Sequence, residues 1–162
     1  GEAASAYFDG MRQAVQTGQN DKAIEDGKRL IGEFGGTAYA GFAALELARL
    51  SYQGGEKAAA RNHLQWVSDS APDASIRELA RLRLGQLLLD MNELDALQTL
   101  LGATPMPAFA GEFAVLRGDF ERVRGNDEAA REAYREALAK GVDDESLLRM
   151  KLVDVGDQAP TS

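Results

Sequence analysis

The chain contains no cysteine, which excludes disulfides and thiol catalysis and removes the commonest ligand of a structural zinc site. Its one histidine is His63, which leaves triad or metalloenzyme chemistry starved of parts. Excess positive charge is also missing. The formal net charge is −8, which argues against duplex nucleic acid and anionic membrane surfaces, since both select a basic footprint. Long apolar runs are absent too: the longest leucine run is Leu87–Leu89, far short of a membrane span. Gly1 stands where a methionine would open a nascent chain, so a signal or anchor is expected to have preceded it. Proline is scarce, with Pro72, Pro105, Pro107 and Pro160 the only examples, leaving long stretches free of the strongest helix breaker.

What remains is rich in alanine (27) and leucine (20) and poor in aromatics, at 7%. Small residues between leucines suit closely packed helices, so the composition points to an all-α chain. A length of 162 residues matches one ordinary domain, or about four helical hairpins of roughly 34 residues with a short remainder.

An internal repeat favours the hairpins. Gly18-Gln19-Asn20-Asp21-Lys22-Ala23 recurs in type as Gly55-Glu56-Lys57-Ala58-Ala59-Ala60, Asn92-Glu93-Leu94-Asp95-Ala96-Leu97 and Gly125-Asn126-Asp127-Glu128-Ala129-Ala130, at steps of 37, 37 and 33 residues. Around these strings lie parts of the tetratricopeptide pattern. The first unit has Tyr7, Ala23 and Leu30; the second has Leu47-Ala48, Ala60, Leu64, Val67 and Pro72. The third has Leu84-Gly85, and the fourth has Arg117-Gly118, Ala130, Tyr134 and Ala137. The small residues belong where paired helices cross at about 8–10 Å, and the large residue four places after the second-helix alanine belongs beside that crossing.

The expected fold is therefore a tetratricopeptide-like right-handed α-solenoid of about four helical hairpins plus a C-terminal capping helix. Repeats fall at about 4–36, 37–73, 74–109 and 110–142, with the cap at 143–155 and a flexible tail at 156–162. First helices are expected over about 3–17, 38–53, 75–90 and 110–124, and second helices over about 20–33, 56–69, 93–102 and 126–140. Thr37, Asp73 and Asn126 read as N-caps, with Gly35-Gly36, Gly54-Gly55 and Gly141 as stops. Pro105 and Pro107 should cut the second helix of the third unit short. A terminal helix from Ser146 to Val155 would cover the last open face, as a solenoid requires.

In such an array the first helices line the concave side through positions two, five, nine and twelve of each unit. These are Ser5, Phe8, Arg12 and Val15; Phe42, Leu45, Arg49 and Tyr52; Leu79, Leu82, Gln86 and Leu89; and Glu112, Val115, Asp119 and Arg122. The candidate protein-binding groove is Phe8, Arg12, Phe42, Leu45, Arg49, Tyr52, Leu79, Leu82, Gln86 and Leu89. An apolar wall edged by Arg and Gln suits an extended or partly unfolded polypeptide. The alternative is that these residues pack on one another or under the terminal cap, with no open groove. A lysine- and asparagine-rich clamp for a C-terminal carboxylate is not present.

Other residues read as structural. His63 lacks a second ligand at metal spacing, and Trp66 reads as packing between repeats. Arg77, Arg81 and Arg83 are interrupted by Glu78 and read as a solvated face with i,i+4 pairing. Asp143-Asp144-Glu145 reads as a helix start favoured by the macrodipole, without the frame of a calcium loop. No phosphate-binding glycine loop is present, so neither a cofactor nor a metal nor an enzymatic activity is expected.

Thr37-Ala38-Tyr39-Ala40-Gly41-Phe42-Ala43-Ala44-Leu45-Glu46-Leu47-Ala48, Leu82-Arg83-Leu84-Gly85, Leu116-Arg117-Gly118-Asp119 leading into Gly125-Asn126-Asp127, and Met150-Lys151-Leu152 together resemble the YfgM-like proteins of Gram-negative bacteria, over about residues 3–155. The resemblance implies a periplasmic domain of a single-pass inner-membrane protein, reaching the membrane only through an N-terminal anchor. It implies an ancillary role at the SecYEG translocon beside a PpiD-like chaperone, with unfolded polypeptide as a further partner. The competing expectation is a tetratricopeptide adaptor for an envelope assembly or division complex.

Overall fold

Four turns with the same backbone build organise the chain, and each follows from one residue in the left-handed region. Gly18, Gly55, Asn92 and Gly125 have φ of 76°, 82°, 58° and 83°. The next residue in each case donates its N–H five positions back: Gln19 to Ala14, Glu56 to Ser51, Glu93 to Leu88 and Asn126 to Glu121, all at 2.8–2.9 Å. Its own carbonyl then accepts from Ala23, Ala60, Leu97 or Ala130 at 2.9–3.1 Å, opening the following helix. One helix thus ends in a Schellman motif and the next begins immediately. The repeating string is the sequence image of this turn. Asn92 is the one non-glycine residue with positive φ among the described residues, a conformation that costs most other L-residues about 1–2 kcal/mol. Asn92→Ala should therefore lower stability by about 1 kcal/mol while Asn92→Gly keeps or raises it, as read by urea denaturation.

The computed structural model describes residues 1–157, and every regular element among them is helical. Two compact units divide the chain after Leu87. The first contains α1 (Glu2–Gln16), α2 (Asn20–Phe34), α3 (Ala38–Gln53), α4 (Lys57–Ser70) and most of α5 (Ala74–Asp90). Its hairpins α1–α2 and α3–α4 are joined by packing of α2 on α3, around a core of Met11, Leu30, Leu47, Leu50 and the alanines 4, 14, 23 and 43. A β-carbon on Gly27 of α2 would sit 2.9 Å from Met11 and 3.1 Å from Leu47, so the absence of a side chain there lets α1 and α3 both close on α2. Thr37 caps α3 through Ala40 N–H at 3.3 Å, and Asp73 caps α5 through Ser75 N–H at 2.8 Å and Ile76 N–H at 3.1 Å.

The second unit contains α6 (Leu94–Leu101), a 3-10 turn (Pro107–Phe109), α7 (Ala110–Val123), α8 (Asp127–Lys140) and α9 (Glu145–Asp154). Two prolines in the loop after α6 fix φ and withhold amide donors, and that helix runs only eight residues. Helices α7 and α8 form the tightest pair. A β-carbon on Gly118 would lie 2.3 Å from the Tyr134 ring, and one on Gly111 would lie 1.9 Å from the Gly141 carbonyl oxygen. Tyr134 is fully buried with Ala114, Ala130 and Ala137, and α9 completes this core with Leu148, Leu152 and Val155. Asp144 caps α9 through Leu147 N–H at 3.0 Å.

Three local expectations need amendment. Asn126 makes no side-chain cap; its amide donates to Glu121 instead, at 2.8 Å. The arginines of α5 form a solvated face only in part: Arg83 is exposed, whereas Arg77 donates to the Ala71 and Pro72 carbonyls at 2.6 and 3.1 Å, and Arg81 pairs at i,i+3 with a buried Glu78. The expected tail at 156–162 begins with a turn in which Asp157 N–H donates to the Leu152 carbonyl at 2.9 Å; residues 158–162 lie outside the described residues.

Candidate functional site

Helices α1 and α3 bring part of the expected groove together. Phe8, Met11, Arg12, Val15 and Gln16 on one side and Phe42 and Glu46 on the other line a cleft of about 290 Å³. Phe8 is its centre, with ring centroids 5.4 Å from Tyr39 and 5.9 Å from Phe42, within the range where tilted aromatic pairs attract. Spacing of i,i+3 and i,i+4 puts Phe8, Met11, Arg12 and Val15 on one side of α1. Met11 is closed off in the core below while Phe42 stays 38% exposed. The Arg12 guanidinium stands 5.9 Å over the Phe8 ring, a cation–π position.

Arg49 is differently engaged. Glu46 accepts from its Nε at 3.0 Å and from its terminal nitrogen as well, and this hydrogen bond holds the guanidinium pKa above its ordinary value against the opposing effect of burial. Tyr52, at the end of α3, is 46% exposed with the Lys57 ammonium 5.8 Å from its ring. Ser5 lies beside the cleft in a second depression of about 490 Å³ with Tyr39 and Asp9.

The remaining expected positions divide. Leu45 and Leu82 are buried, at 8% and 6% exposure, and supply core rather than contact surface in this conformation. Leu79 is half-buried and Gln86 exposed, both on α5 in the first unit; Leu89 is half-buried and belongs to the second. In the fourth repeat the inner positions are occupied from within. Asp119 binds Lys151 of α9 at 2.8 Å, Arg122 reaches Asp154 of α9 at 3.5 Å, Glu112 accepts from Asp143 N–H at 3.0 Å, and Val115 packs on the α8–α9 core. The α1–α3 cleft is thus open to solvent, while the fourth repeat's inner positions are engaged by α9 and the loop before it.

His63 on α4 is half-buried, and desolvation, aided by the Lys28 charge, lowers its pKa. Trp66 stands 3.7 Å from the β-position of Gly35 at the end of α2, between the first two hairpins. No group of three or more His, Asp or Glu side chains among the described residues is placed to hold a metal ion, and no described helix is long and apolar enough to cross a membrane.

The match to known families covers this architecture from end to end: the family described as tetratricopeptide repeat-like domain matches residues 1–157. The chain belongs to that family. Two relatives carry the name ancillary SecYEG translocon subunit. The Haemophilus influenzae protein is 25% identical over 150 residues, covering 92% of this chain and 73% of its own length. The Neisseria gonorrhoeae protein is 36% identical over 97 residues, covering 57% of this chain and 46% of its own. These relatives support the YfgM-like resemblance. Within the tetratricopeptide frame, the four left-handed turns and the Gly118–Tyr134 crossing are the repeat signature, and the α1–α3 cleft is where this chain's first helices keep apolar surface open.

Proposed function

We propose that this domain is the non-catalytic protein-interaction part of an inner-membrane-anchored periplasmic protein that associates with the SecYEG translocon and a PpiD-like chaperone and assists emerging chains. The observation that carries the proposal is the tetratricopeptide repeat-like family match over residues 1–157, together with sequence similarity to relatives named as ancillary translocon subunits. The α1–α3 cleft supports it physically. Exposed Phe42 and the Phe8 ring offer apolar burial, and Arg12, Gln16 and Glu46 offer polar contacts at the edge. Such a surface binds by side-chain burial with a few orienting hydrogen bonds.

The test uses the full-length natural protein in its own membrane. Phe42→Glu combined with Arg12→Glu places two carboxylates in the cleft at positions that are already exposed, so folding should be retained. Recovery of SecYEG components by crosslinking and co-purification should fall about tenfold, equivalent to ~1.4 kcal/mol, while the circular dichroism spectrum is unchanged. Leu82→Glu is unsuitable, because it buries a charge. Undiminished SecYEG recovery would remove the cleft from the contact, and capture of envelope-assembly proteins in place of the translocon would favour the adaptor reading.

A further inference from the structure

Arg49, Arg81 and Arg124 each pair with the glutamate three residues before them in the chain. Arg12 has two such openings and takes neither. Asp9 stands three residues before it on α1, and Glu46 lines the α1–α3 cleft with it, but Glu46 is held by Arg49. Neither Asp9 nor Arg12 makes an ion pair or a hydrogen bond among the described residues, and the Arg12 guanidinium lies instead over the Phe8 ring at 5.9 Å. An acid and a base at a spacing that ordinarily closes are thus both left open.

The two charges line different depressions. Asp9 borders the one with Ser5 and Tyr39, and Arg12 borders the cleft with Phe8 and Phe42. Aromatic rings join the two, since Phe8 lies 5.4 Å from Tyr39 and 5.9 Å from Phe42 between centroids. An open anion, an aromatic floor and an open cation therefore lie side by side.

These charges select what fits. A wholly apolar segment would strip water from Asp9 and Arg12 without replacing its hydrogen bonds. A segment of one sign would match one ion and be opposed by the other. A segment with one charge of each sign, on either side of a large apolar side chain, matches the whole surface. In an extended chain, residues two apart share a face at about 6.5–7 Å, close to the 5.4 Å from Tyr39 to Phe8 and the 5.9 Å from Phe8 to Arg12.

We propose that the two depressions form one site for an extended polypeptide segment in which a basic, a large apolar and an acidic residue alternate with residues of any kind. The apolar side chain packs on Phe8 and Phe42, the carboxylate meets Arg12, and the basic group meets Asp9. This rests on the reading of the domain as a protein-interaction module and names the chemistry that the module selects. Each exposed charge contact contributes about threefold in affinity, and the apolar anchor about tenfold or more.

The probe is a fluorescein-labelled heptapeptide, Ser-Lys-Ser-Phe-Ser-Glu-Ser with blocked ends, titrated with the 162-residue chain and read by fluorescence anisotropy. Exchanging its Glu for Gln should weaken binding to the wild type about threefold and leave binding to Arg12→Gln unchanged. Exchanging its Lys for Gln should behave in the same way towards the wild type and Asp9→Asn. Exchanging its Phe for Ser should cost about tenfold or more. Asp9 and Arg12 are both exposed, so the variants should keep the wild-type circular dichroism spectrum. The proposal is overturned by equal affinity of the charged and Gln peptides for the wild type, by losses that persist in Arg12→Gln and Asp9→Asn, or by no binding up to about 1 mM. SecYEG recovery with the full-length protein is a separate readout. Normal recovery without charge-dependent peptide binding would overturn the charge pattern alone, and charge-dependent binding without SecYEG recovery would overturn the translocon reading alone.

Discussion

Gly118→Ala is expected to destabilise the chain by about 2 kcal/mol, against the usual sign for that exchange. In an open helix interior, alanine is better than glycine by about 0.5–1 kcal/mol, and Gly32, in the last turn of α2 with nothing within 4 Å of its β-position, should show a gain of the same sign. At Gly118 the added methyl would lie 2.3, 2.4 and 2.9 Å from three carbons of the Tyr134 ring, well inside the ~3.5–4.0 Å of ordinary carbon contact. The ring cannot withdraw freely. It is fully buried, and its hydroxyl donates to Asp119 at 2.5 Å. Relief must come from α7 moving off α8, which loosens the second unit's core. The measurement is urea denaturation of Gly118→Ala, Gly32→Ala and the wild type, with Gly118→Ala repeated in a Tyr134→Leu background. In that background the penalty should shrink or reverse, giving a coupling energy of about 1–3 kcal/mol. Gly111→Ala should be at least as damaging, since the neighbour it meets is backbone, at 1.9 Å, and no smaller partner residue can rescue it. A neutral Gly118→Ala would mean that the α7–α8 pair is not packed this closely.

The turns and crossings were legible from the sequence because they depend on local chemistry. A residue that tolerates positive φ, a polar residue after it and an apolar residue four further on (alanine in three units, Leu97 in the third) recur as a string, and the backbone bonds made by Gln19, Glu56, Glu93 and Asn126 repeat with it. The truncated α6 was legible for the same reason, from Pro105 and Pro107. The binding surface was less so. Periodicity places Asp119 on the same inner row as Arg12 and Arg49, with Arg122 on the row of Val15 and Tyr52, yet only the three-dimensional return of α9 shows that the fourth repeat engages these positions with Lys151 and Asp154. Leu45 and Leu82 share the register of half-buried Phe8 and differ in what covers them, which no single-helix pattern encodes. Glu78 misled for a related reason: its charge suggested a wet face, and its partner Arg81 allows it to be buried. The apolar content of α9 was visible as five residues in a row of ten, though the sequence could not say which of them met the core.

Asp119→Ala should remove about 2–3 kcal/mol, because one carboxylate serves two donors. Tyr134 Oη donates to it at 2.5 Å from α8, and Lys151 Nζ donates at 2.8 and 3.0 Å from α9. Hydrogen bonds involving a charged group contribute about 1.5–3 kcal/mol, and a buried hydroxyl left without an acceptor costs more than an exposed one. Lys151 and Asp119 are only about one-fifth exposed, so solvent screening reduces this less than at a surface pair. Asp119→Asn, which keeps an acceptor for Tyr134 and loses the ion pair with Lys151, should fall between. The same site gives an alkaline signature. Burial, then the hydrogen bond to Asp119, raises the Tyr134 pKa above its ordinary value of about 10. The folded state therefore retains a proton that the unfolded chain releases, so this contribution is complete below about pH 10 and is lost as pH rises towards the folded value. Wild-type unfolding free energy should decline above pH 10 more steeply than that of Tyr134→Phe, in which this group no longer titrates. Asp119→Ala should show a reduced but persistent decline, since burial is the larger of the two causes. Parallel pH profiles for wild type and Tyr134→Phe, measured by urea denaturation, would show that Tyr134 is not held neutral at the junction of α7, α8 and α9.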